Sequence, residues 1–155
     1  MSTRKRYWLM KTEPEDFSID DLKRVDIEPW TGVRNYQARN FMRSMRIGDS
    51  VLFYHSSTEV PGVYGIAEVA SAPYPDPSQF NKKSKYFDDK SKPEDPRWSL
   101  VDVRFVRKLA KPITLETIRE HAASFGEDFA LIRRGSRLSV MPVSASDSKI
   151  LLALA

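Results

Sequence analysis

Two hydrophobic periodicities alternate along the chain, one of about 3.6 residues and one of about 2 residues. Ala38, Phe41, Met42 and Met45 recur at helical spacing and predict an amphipathic helix over 35–46. Similar patterns predict helices over 19–25 and after Thr114 and Ser144, and strands over 7–11, 50–55, 63–69, 98–109 and 138–143. Several strands at short spacing, without regular helical crossovers, favour an α+β fold with a small curled sheet or barrel over a doubly wound sheet.

Two of the predicted strands differ in how their faces are covered. In 50–55, Val51 and Phe53 face one side while Leu52 and Tyr54 face the other, so we expect this strand to be covered on both sides. The strand after Trp98 alternates instead, with apolar residues at 101, 103 and 105 and charged residues at 102 and 104. Before it, the polar and proline-rich segment 73–96 has the length typical of a functional or mobile loop.

The length and composition fit a single domain over 1–155. No apolar run approaches the roughly 20 residues that cross a bilayer, and the basic N-terminus lacks the apolar stretch of a secretory signal. The chain has no cysteine, which excludes disulfides and thiolate chemistry and fits a cytoplasmic location. We expect a monomer with no membrane partner, and the net charge of +4 is a mild bias toward anionic partners.

The chain carries little of the equipment that catalysis or metal binding requires. Its two histidines, His55 and His121, are far apart in sequence, and no cysteine is present to join them, so we expect no metal site. No phosphate-binding glycine motif is present, and we expect no cofactor. His55 is adjacent to Ser56, but neighbours on a strand point to opposite faces, so a catalytic serine would need another partner. We therefore expect a binding protein and not an enzyme.

Aromatic residues stand at the boundaries of predicted elements, where side chains often line the mouth of a pocket. Trp30 precedes the helix that starts at Asn35, and Trp98 lies at the start of a strand. Any single aromatic residue is more often part of the core. Polar groups at similar boundaries favour a pocket here, and the combined set is Trp30, Asn35, Tyr54, His55, Ser56, Trp98 and Ser139.

Arginines are the second candidate feature. Arg39, Arg43 and Arg46 share one face of the predicted helix, and such a stripe is most often only solvated. The wider set of Arg34, Arg39, Arg43, Arg46, Arg133, Arg134 and Arg137 is a candidate for contacting a phosphate backbone. Both interpretations stay open, since the sequence does not establish that these arginines converge.

Five stretches carry a resemblance to a known family, in the family's order along nearly the whole chain. They are YWLMKTEP (7–14), WTGVRNYQARN (30–40), GDSVLFYHS (48–56), PRWSLVDV (96–103) and RLSVMPV (137–143). Through these stretches the chain resembles the EVE domain. The resemblance implies a PUA-like fold, a small β-barrel of about five to six mostly antiparallel strands surrounded by helices.

The same resemblance implies a pocket that takes one modified base, without catalysis and without a cofactor. The expected ligand is 5-methylcytosine or an oxidised form of it in DNA. Matched by motif position, the pocket residues are Trp30, Asn35, Tyr54, His55, Ser56, Trp98, Leu138 and Ser139. Lys11 and Arg34 are expected at the rim, and the expected contacts to the nucleic-acid backbone are Lys11, Arg34, Arg39, Arg43, Arg133 and Arg137.

Two alternatives from other functional classes stay open. One is an RNA-binding module, because relatives within the PUA-like group recognise RNA. The other is an enzyme acting on a nucleobase or a small molecule, for which the sequence offers no reactive centre. A competition between DNA and RNA carrying the same base distinguishes an RNA-binding module from a DNA-binding one, because the two nucleic acids then differ in the 2′-hydroxyl of the sugar.

Overall fold

The computed structural model describes residues 5–155, so the first residues of the basic N-terminal segment lie outside it. The strands are β1 (Tyr7–Thr12), β2 (Ile27–Pro29), β3 (Ser50–His55), β4 (Gly62–Val69), β5 (Tyr74–Pro75), β6 (Ser99–Leu100), β7 (Asp102–Thr114) and β8 (Val140–Val143). The α-helices are α1 (Ile19–Val25), α2 (Tyr36–Arg43), α3 (Leu115–Glu120) and α4 (Ala145–Ala153). Short 3₁₀ helices occupy Pro77–Phe80, Ala122–Ser124 and Ala130–Ile132.

Six strands form one curled mixed sheet in the order β2-β7-β4-β3-β1-β8. Strands β1 and β3 pair in parallel, while the other neighbours in this sheet are antiparallel. Register shifts between Phe53 and Tyr54 in β3 and within β4 add local bends, which is how bulges curve a sheet. The sheet forms a half-barrel with helices around it, so the predicted α+β, PUA-like fold is confirmed.

The sheet separates two hydrophobic clusters. Every residue of β3 is buried: Phe53 packs into a cluster with Trp8 and Met10, whereas Leu52 and Tyr54 belong to the cluster on the opposite side. The prediction that 50–55 is covered on both faces is therefore confirmed. Because β3 lies in the middle of the sheet, the residues that follow its C-terminal end are held firmly in place.

The helix starts follow from capping side chains. Ser18, Asn35, Thr114 and Ser144 each accept a hydrogen bond from the backbone N–H three residues later. The second helix ends at Arg43, three residues earlier than predicted, since the Ser44 N–H turns back to the carbonyls of the last turn. None of the helices within residues 5–155 has the length and apolar character needed to span a membrane.

Residues 73–96 are tied to the domain by a buried glutamine. The Gln79 amide donates to the carbonyls of Asp76 and Trp98, and its oxygen accepts from Ser91 Oγ and from the Trp98 N–H. All four hydrogen bonds that this amide group can make are therefore formed within the protein. The segment carries β5 and a 3₁₀ helix, and its first part pairs with β6.

Candidate functional site

A cavity of about 720 Å³ opens where the C-terminal ends of β1 and β3 meet the segment that follows β2. Its walls come from five parts of the chain that are separated in sequence, within 11–17, 28–34, 56, 85–86 and 137–139. The lining residues are Lys11, Thr12, Glu13, Asp16, Phe17, Glu28, Pro29, Trp30, Thr31, Gly32, Val33, Arg34, Ser56, Lys85, Tyr86, Arg137 and Ser139. Six of the predicted site residues are among them, namely Lys11, Trp30, Arg34, Ser56, Arg137 and Ser139.

Trp30 is the most buried of the aromatic residues that line the cavity. Its backbone N–H donates to the Val101 carbonyl at 3.0 Å, which extends the pairing of β2 with β7 by one residue. The ring meets Phe53 edge to face at a centroid distance of 5.5 Å, and only 8% of the residue is exposed. Trp30 is therefore a fixed surface that already belongs to the core.

Tyr86 supplies a second aromatic surface from the 73–96 segment. Its ring lies against Gly32, whose φ of +88° is a conformation that residues with a β-carbon rarely adopt. The backbone N–H of Gly32 donates to Asp76 Oδ2 at 2.8 Å. Gly32 thus connects the segment after β2 to the 73–96 loop. Because it has no side chain, the two segments can approach each other closely.

Arg34 stabilises the contact between the segment after β2 and the 73–96 loop through hydrogen bonds from its guanidinium group. Its Nη1 lies 3.1 Å from Oδ2 of Asp76, a carboxylate with no exposed surface. The guanidinium also donates to the carbonyls of Tyr86 and Val33 and to Ser78 Oγ. These contacts use the five N–H groups of the guanidinium. Arg34 lines the cavity as predicted, but its hydrogen bonds hold the loop and leave no N–H group for a phosphate.

Three hydroxyl groups line the wall formed by the strand ends. Thr12 donates to the Phe17 carbonyl, whereas the hydroxyls of Ser56 and Ser139 make no hydrogen bond within residues 5–155. Their backbones are fixed, because the Ser56 N–H donates to the Thr12 carbonyl and the Ser139 carbonyl accepts from the Lys11 N–H. Ser56 and Ser139 thus present rigidly held groups that both donate and accept.

Charges of both signs face the cavity. Lys11 lies with its Nζ 5.7 Å from the centre of the Tyr54 ring, and burial lowers the pKa of this lysine. Neither Lys11 nor the exposed Arg137 forms an ion pair within the described residues. The acidic lining residues are Glu13, Asp16 and Glu28, and burial raises the pKa of Glu28.

Five of the predicted pocket residues do not line this cavity. Asn35 is used as the cap of α2, and Leu138 packs against the hydrophobic cluster that contains Tyr54. Tyr54 itself is buried below Lys11 and supports the ammonium group from beneath. Each of these side chains has a structural partner, and a role for them in binding a base stays a prediction.

His55 and Trp98 also lie outside the lining. The Nε2 atom of His55 accepts from the Ile19 N–H at 3.1 Å, and its ring stacks on Tyr64 at 4.0 Å. Its neighbour Ser56, which follows the end of β3, does line the cavity. Trp98 donates from Nε1 to Asp88 and stacks on Tyr36, so it organises the loop behind Arg34.

Most of the residues predicted to contact a nucleic-acid backbone fall into two groups, those that are hydrogen-bonded within the protein and those that face the cavity. Arg39 donates to the Arg97 carbonyl, and Arg43 donates to Ser99 Oγ and to the carbonyls of Pro96 and Arg97. These two arginines therefore fasten the segment before β6. Arg133 is exposed but does not line the cavity, so Lys11 and Arg137 are the predicted cations that face it with uncommitted charge.

Several lining residues were missed by sequence reasoning. They are Thr12, Glu13, Asp16, Phe17, Glu28, Lys85 and Tyr86. The aromatic content of the 73–96 loop was a usable signal for Tyr86, because a long loop rich in aromatic residues is unusual unless they pack or bind. Thr12 and Glu13 lie within the motif 7–14 but were not assigned to the site, whereas Asp16, Phe17, Glu28 and Lys85 gave no signal, since they reach the cavity through contacts between distant segments.

The fold and the cavity define a small half-barrel domain of the PUA-like class. The family model of the EVE domain matches residues 6–154. The chain belongs to the EVE-domain family.

Individual relatives extend the match over nearly the whole chain. Mouse (Mus musculus) thymocyte nuclear protein 1 is 42% identical over 165 residues, covering 96% of this chain and 73% of that protein. A solved structure from Pseudomonas syringae superposes with a TM-score of 0.91 at 45% identity, covering 96% of this chain and 98% of the other. Human THYN1, solved in complex with DNA containing 5-methylcytosine, superposes with a TM-score of 0.90 at 39% identity, covering 97% of each chain.

Proposed function

We propose that this chain is a non-catalytic DNA-binding module that takes one modified cytosine, 5-methylcytosine or an oxidised form, into the cavity beside Trp30. The observation that carries the proposal is the meeting of Trp30, Tyr86, two uncommitted serine hydroxyls and two uncommitted cations in one cavity. A bound nucleotide needs three kinds of contact. Its base ring stacks on a flat apolar surface, the edge of the base contacts hydrogen-bonding groups, and its phosphate is attracted by positive charge. The human relative solved with DNA containing 5-methylcytosine supports this ligand.

A base inside a duplex reaches such a cavity only after leaving the stack. Extrusion costs a few kcal/mol, which contacts to the flanking phosphates must offset. Stacking on an aromatic ring contributes about 1–3 kcal/mol per base and hardly depends on which base it is. Lys11 and Arg137 would contact the phosphates, and Ser56 and Ser139 would contact the edge of the base.

Selectivity for a methyl group requires a separate contribution. Burial of one methyl is worth about 0.8 kcal/mol, or about fourfold in affinity. A larger preference therefore needs a cavity that is rigid around the methyl group. The support for rigidity here is the set of contacts that lock Trp30, Gly32 and Arg34 to their neighbours.

The experiment is a set of affinities for short oligonucleotides that differ at one cytosine, in DNA and in RNA. Trp30→Ala should weaken binding to all of them, and Ser139→Ala should weaken binding while leaving the core intact. Phe125→Ala is the matched control, because Phe125 has the same exposed fraction of 8% as Trp30 but lies in the opposite cluster. Unchanged binding by a folded Trp30→Ala protein would contradict the proposal.

The alternatives are outcomes of the same experiment. Tighter binding to RNA than to DNA with the same base would assign the chain to RNA. If the chain converted a bound nucleoside to product and His55→Ala lost this activity, the chain would be an enzyme. The proposal favours neither, since the His55 Nε2 is occupied by the Ile19 N–H and the DNA complex belongs to a relative of 39% identity. The expected cytoplasmic location and monomeric state stay predictions.

A further inference from the structure

Glu28 lines the same cavity as Trp30 and precedes it by two residues in the chain. Strand β2 pairs with β7 through Glu28 and Val103, and the pairing continues to the Trp30 N–H. Residues two apart on a strand point to the same side and lie about 7 Å from each other. Glu28 and Trp30 both line the cavity, so a ring lying against the indole would bring its edge toward the Glu28 carboxylate.

The Glu28 carboxylate has no partner within residues 5–155, neither an ion pair nor a side-chain hydrogen bond. Other carboxylates with reduced exposure are paired, as Glu68 is with Arg104 at 2.7 Å and Asp76 is with Arg34 at 3.1 Å. Partial burial also raises the pKa of Glu28, because it disfavours the charged form. A ligand that brings a hydrogen-bond donor into the cavity would give this carboxylate a partner.

A carboxylate in this position is unfavourable for binding a polyanion in general. Each phosphate that approaches the cavity is repelled by Glu28, so the residue lowers affinity unless it makes a specific contact. Cytosine carries an exocyclic amine at N4 that donates hydrogen bonds, and carboxylates are suitable acceptors for it. Thymine has a carbonyl oxygen at the same position, which a carboxylate repels.

We propose that Glu28 is the specificity-determining residue of the cavity and accepts a hydrogen bond from the exocyclic amine of the bound cytosine. The inference rests on the proposed function and names the group that distinguishes 5-methylcytosine from thymine. These two bases carry the same methyl group and differ in the hydrogen-bonding edge. Stacking and methyl burial therefore contribute equally to both, and Glu28 supplies the difference.

The test compares two DNA duplexes that carry either 5-methylcytosine or thymine opposite an abasic site. Neither base has a pairing partner, so the cost of opening a base pair does not enter the comparison. The unmutated chain should prefer 5-methylcytosine about tenfold or more, the size expected for one good edge contact. Glu28→Gln should reduce that preference to about twofold or less, because the amide can also donate to the thymine oxygen.

Glu13→Gln is the matched control, because it removes the same charge from an exposed position on the same cavity. It should raise the affinity for both duplexes slightly and keep the preference. Thermal unfolding verifies that both variants fold. Full discrimination by a folded Glu28→Gln protein that still binds 5-methylcytosine would overturn the inference and leave the proposed function intact. Failure of the unmutated chain to bind either duplex would overturn the proposed function and the inference with it.

Discussion

The ring of Tyr86 packs against the backbone of Gly32. The contact is so close that a β-carbon at residue 32 would lie 2.5 Å from Cζ of the tyrosine ring. No residue other than glycine fits there without moving the ring. The contact joins the segment after β2 to the middle of the 73–96 loop. The width of the cavity is therefore set partly by the absence of one side chain.

Gly32→Ala should open this contact, and Gly48→Ala separates the steric effect from backbone strain. Both glycines have positive φ, +88° and +93°, but a β-carbon at residue 48 would meet nothing within 4 Å. The strain alone costs about 1–2 kcal/mol. Urea unfolding should therefore show that Gly32→Ala loses more free energy of unfolding than Gly48→Ala. Equal losses would mean that Tyr86 is not held against the backbone.

The Arg34–Asp76 ion pair should be the most costly one to break in the loop. Arg34→Met leaves a fully buried carboxylate without its counter-charge, which costs about 3–5 kcal/mol. Arg104→Met is the matched control, because its partner Glu68 is partly exposed and such pairs contribute about 0–1 kcal/mol. The double variant Arg34→Met, Asp76→Asn should lose less than the sum of the single variants. Strict additivity in denaturant unfolding would contradict a direct coupling.

Stability should fall on mild acidification because of His55. Burial lowers the pKa of His55 below its ordinary value of 6.5; the charge of Asp20 opposes this effect, and the charge of Lys108 adds to it. As the pH falls, the unfolded chain binds the proton first, so the stabilising contribution is present above pH 6.5 and is lost as the pH falls through the lowered pKa. Protonation would also remove the acceptor that Nε2 offers to the Ile19 N–H.

The measurement is urea unfolding between pH 7.5 and pH 5, comparing the unmutated chain with His55→Gln. The loss contributed by one histidine is at most about 1.4 kcal/mol per pH unit. The glutamine variant keeps an acceptor but does not titrate, so its stability should change less over this range. Parallel changes in both proteins would assign the effect to other groups.

The salt dependence of DNA binding should separate two groups of basic residues. Lys11→Met and Arg137→Met should each reduce the slope of log affinity against log salt by about 0.9, the value for one lost phosphate contact. The double variant Arg39→Ala, Arg43→Ala should instead lose stability, since it removes hydrogen bonds to residues 96, 97 and 99 worth about 1 kcal/mol each. If the slope fell only in the double variant Arg39→Ala, Arg43→Ala, the result would show that Arg39 and Arg43, and not Lys11 and Arg137, contact the phosphates.

The elements that were predictable from the sequence depend on local rules. The four capping residues begin helices as expected, and 50–55 is a strand covered on both faces, because capping and burial patterns act within a few residues. Strand β2 was not predicted, since only its pairing with β7 makes three residues ending in proline a strand. The parallel pairing of β1 with β3 also depends on contacts far apart in sequence.

The site follows the same division. Trp30, Ser56 and Ser139 were predictable because they stand at the ends of recognisable elements within recognisable motifs. Tyr54, His55 and Trp98 belong to the same motifs but are used for support, and only their hydrogen-bonding and stacking partners distinguish the two roles. Glu28 and Tyr86 reach the cavity through tertiary packing, which a motif does not encode.

The most direct test of the central claim is the affinity of the unmutated chain for two DNA duplexes that differ by one methyl group on one cytosine. If the base enters a rigid cavity, the methylated duplex should bind at least about fourfold more tightly, and this ratio should persist when the salt concentration is raised. The absolute affinities should fall together, because the phosphate contacts are common to both duplexes. Equal affinities at both salt concentrations would contradict the claim.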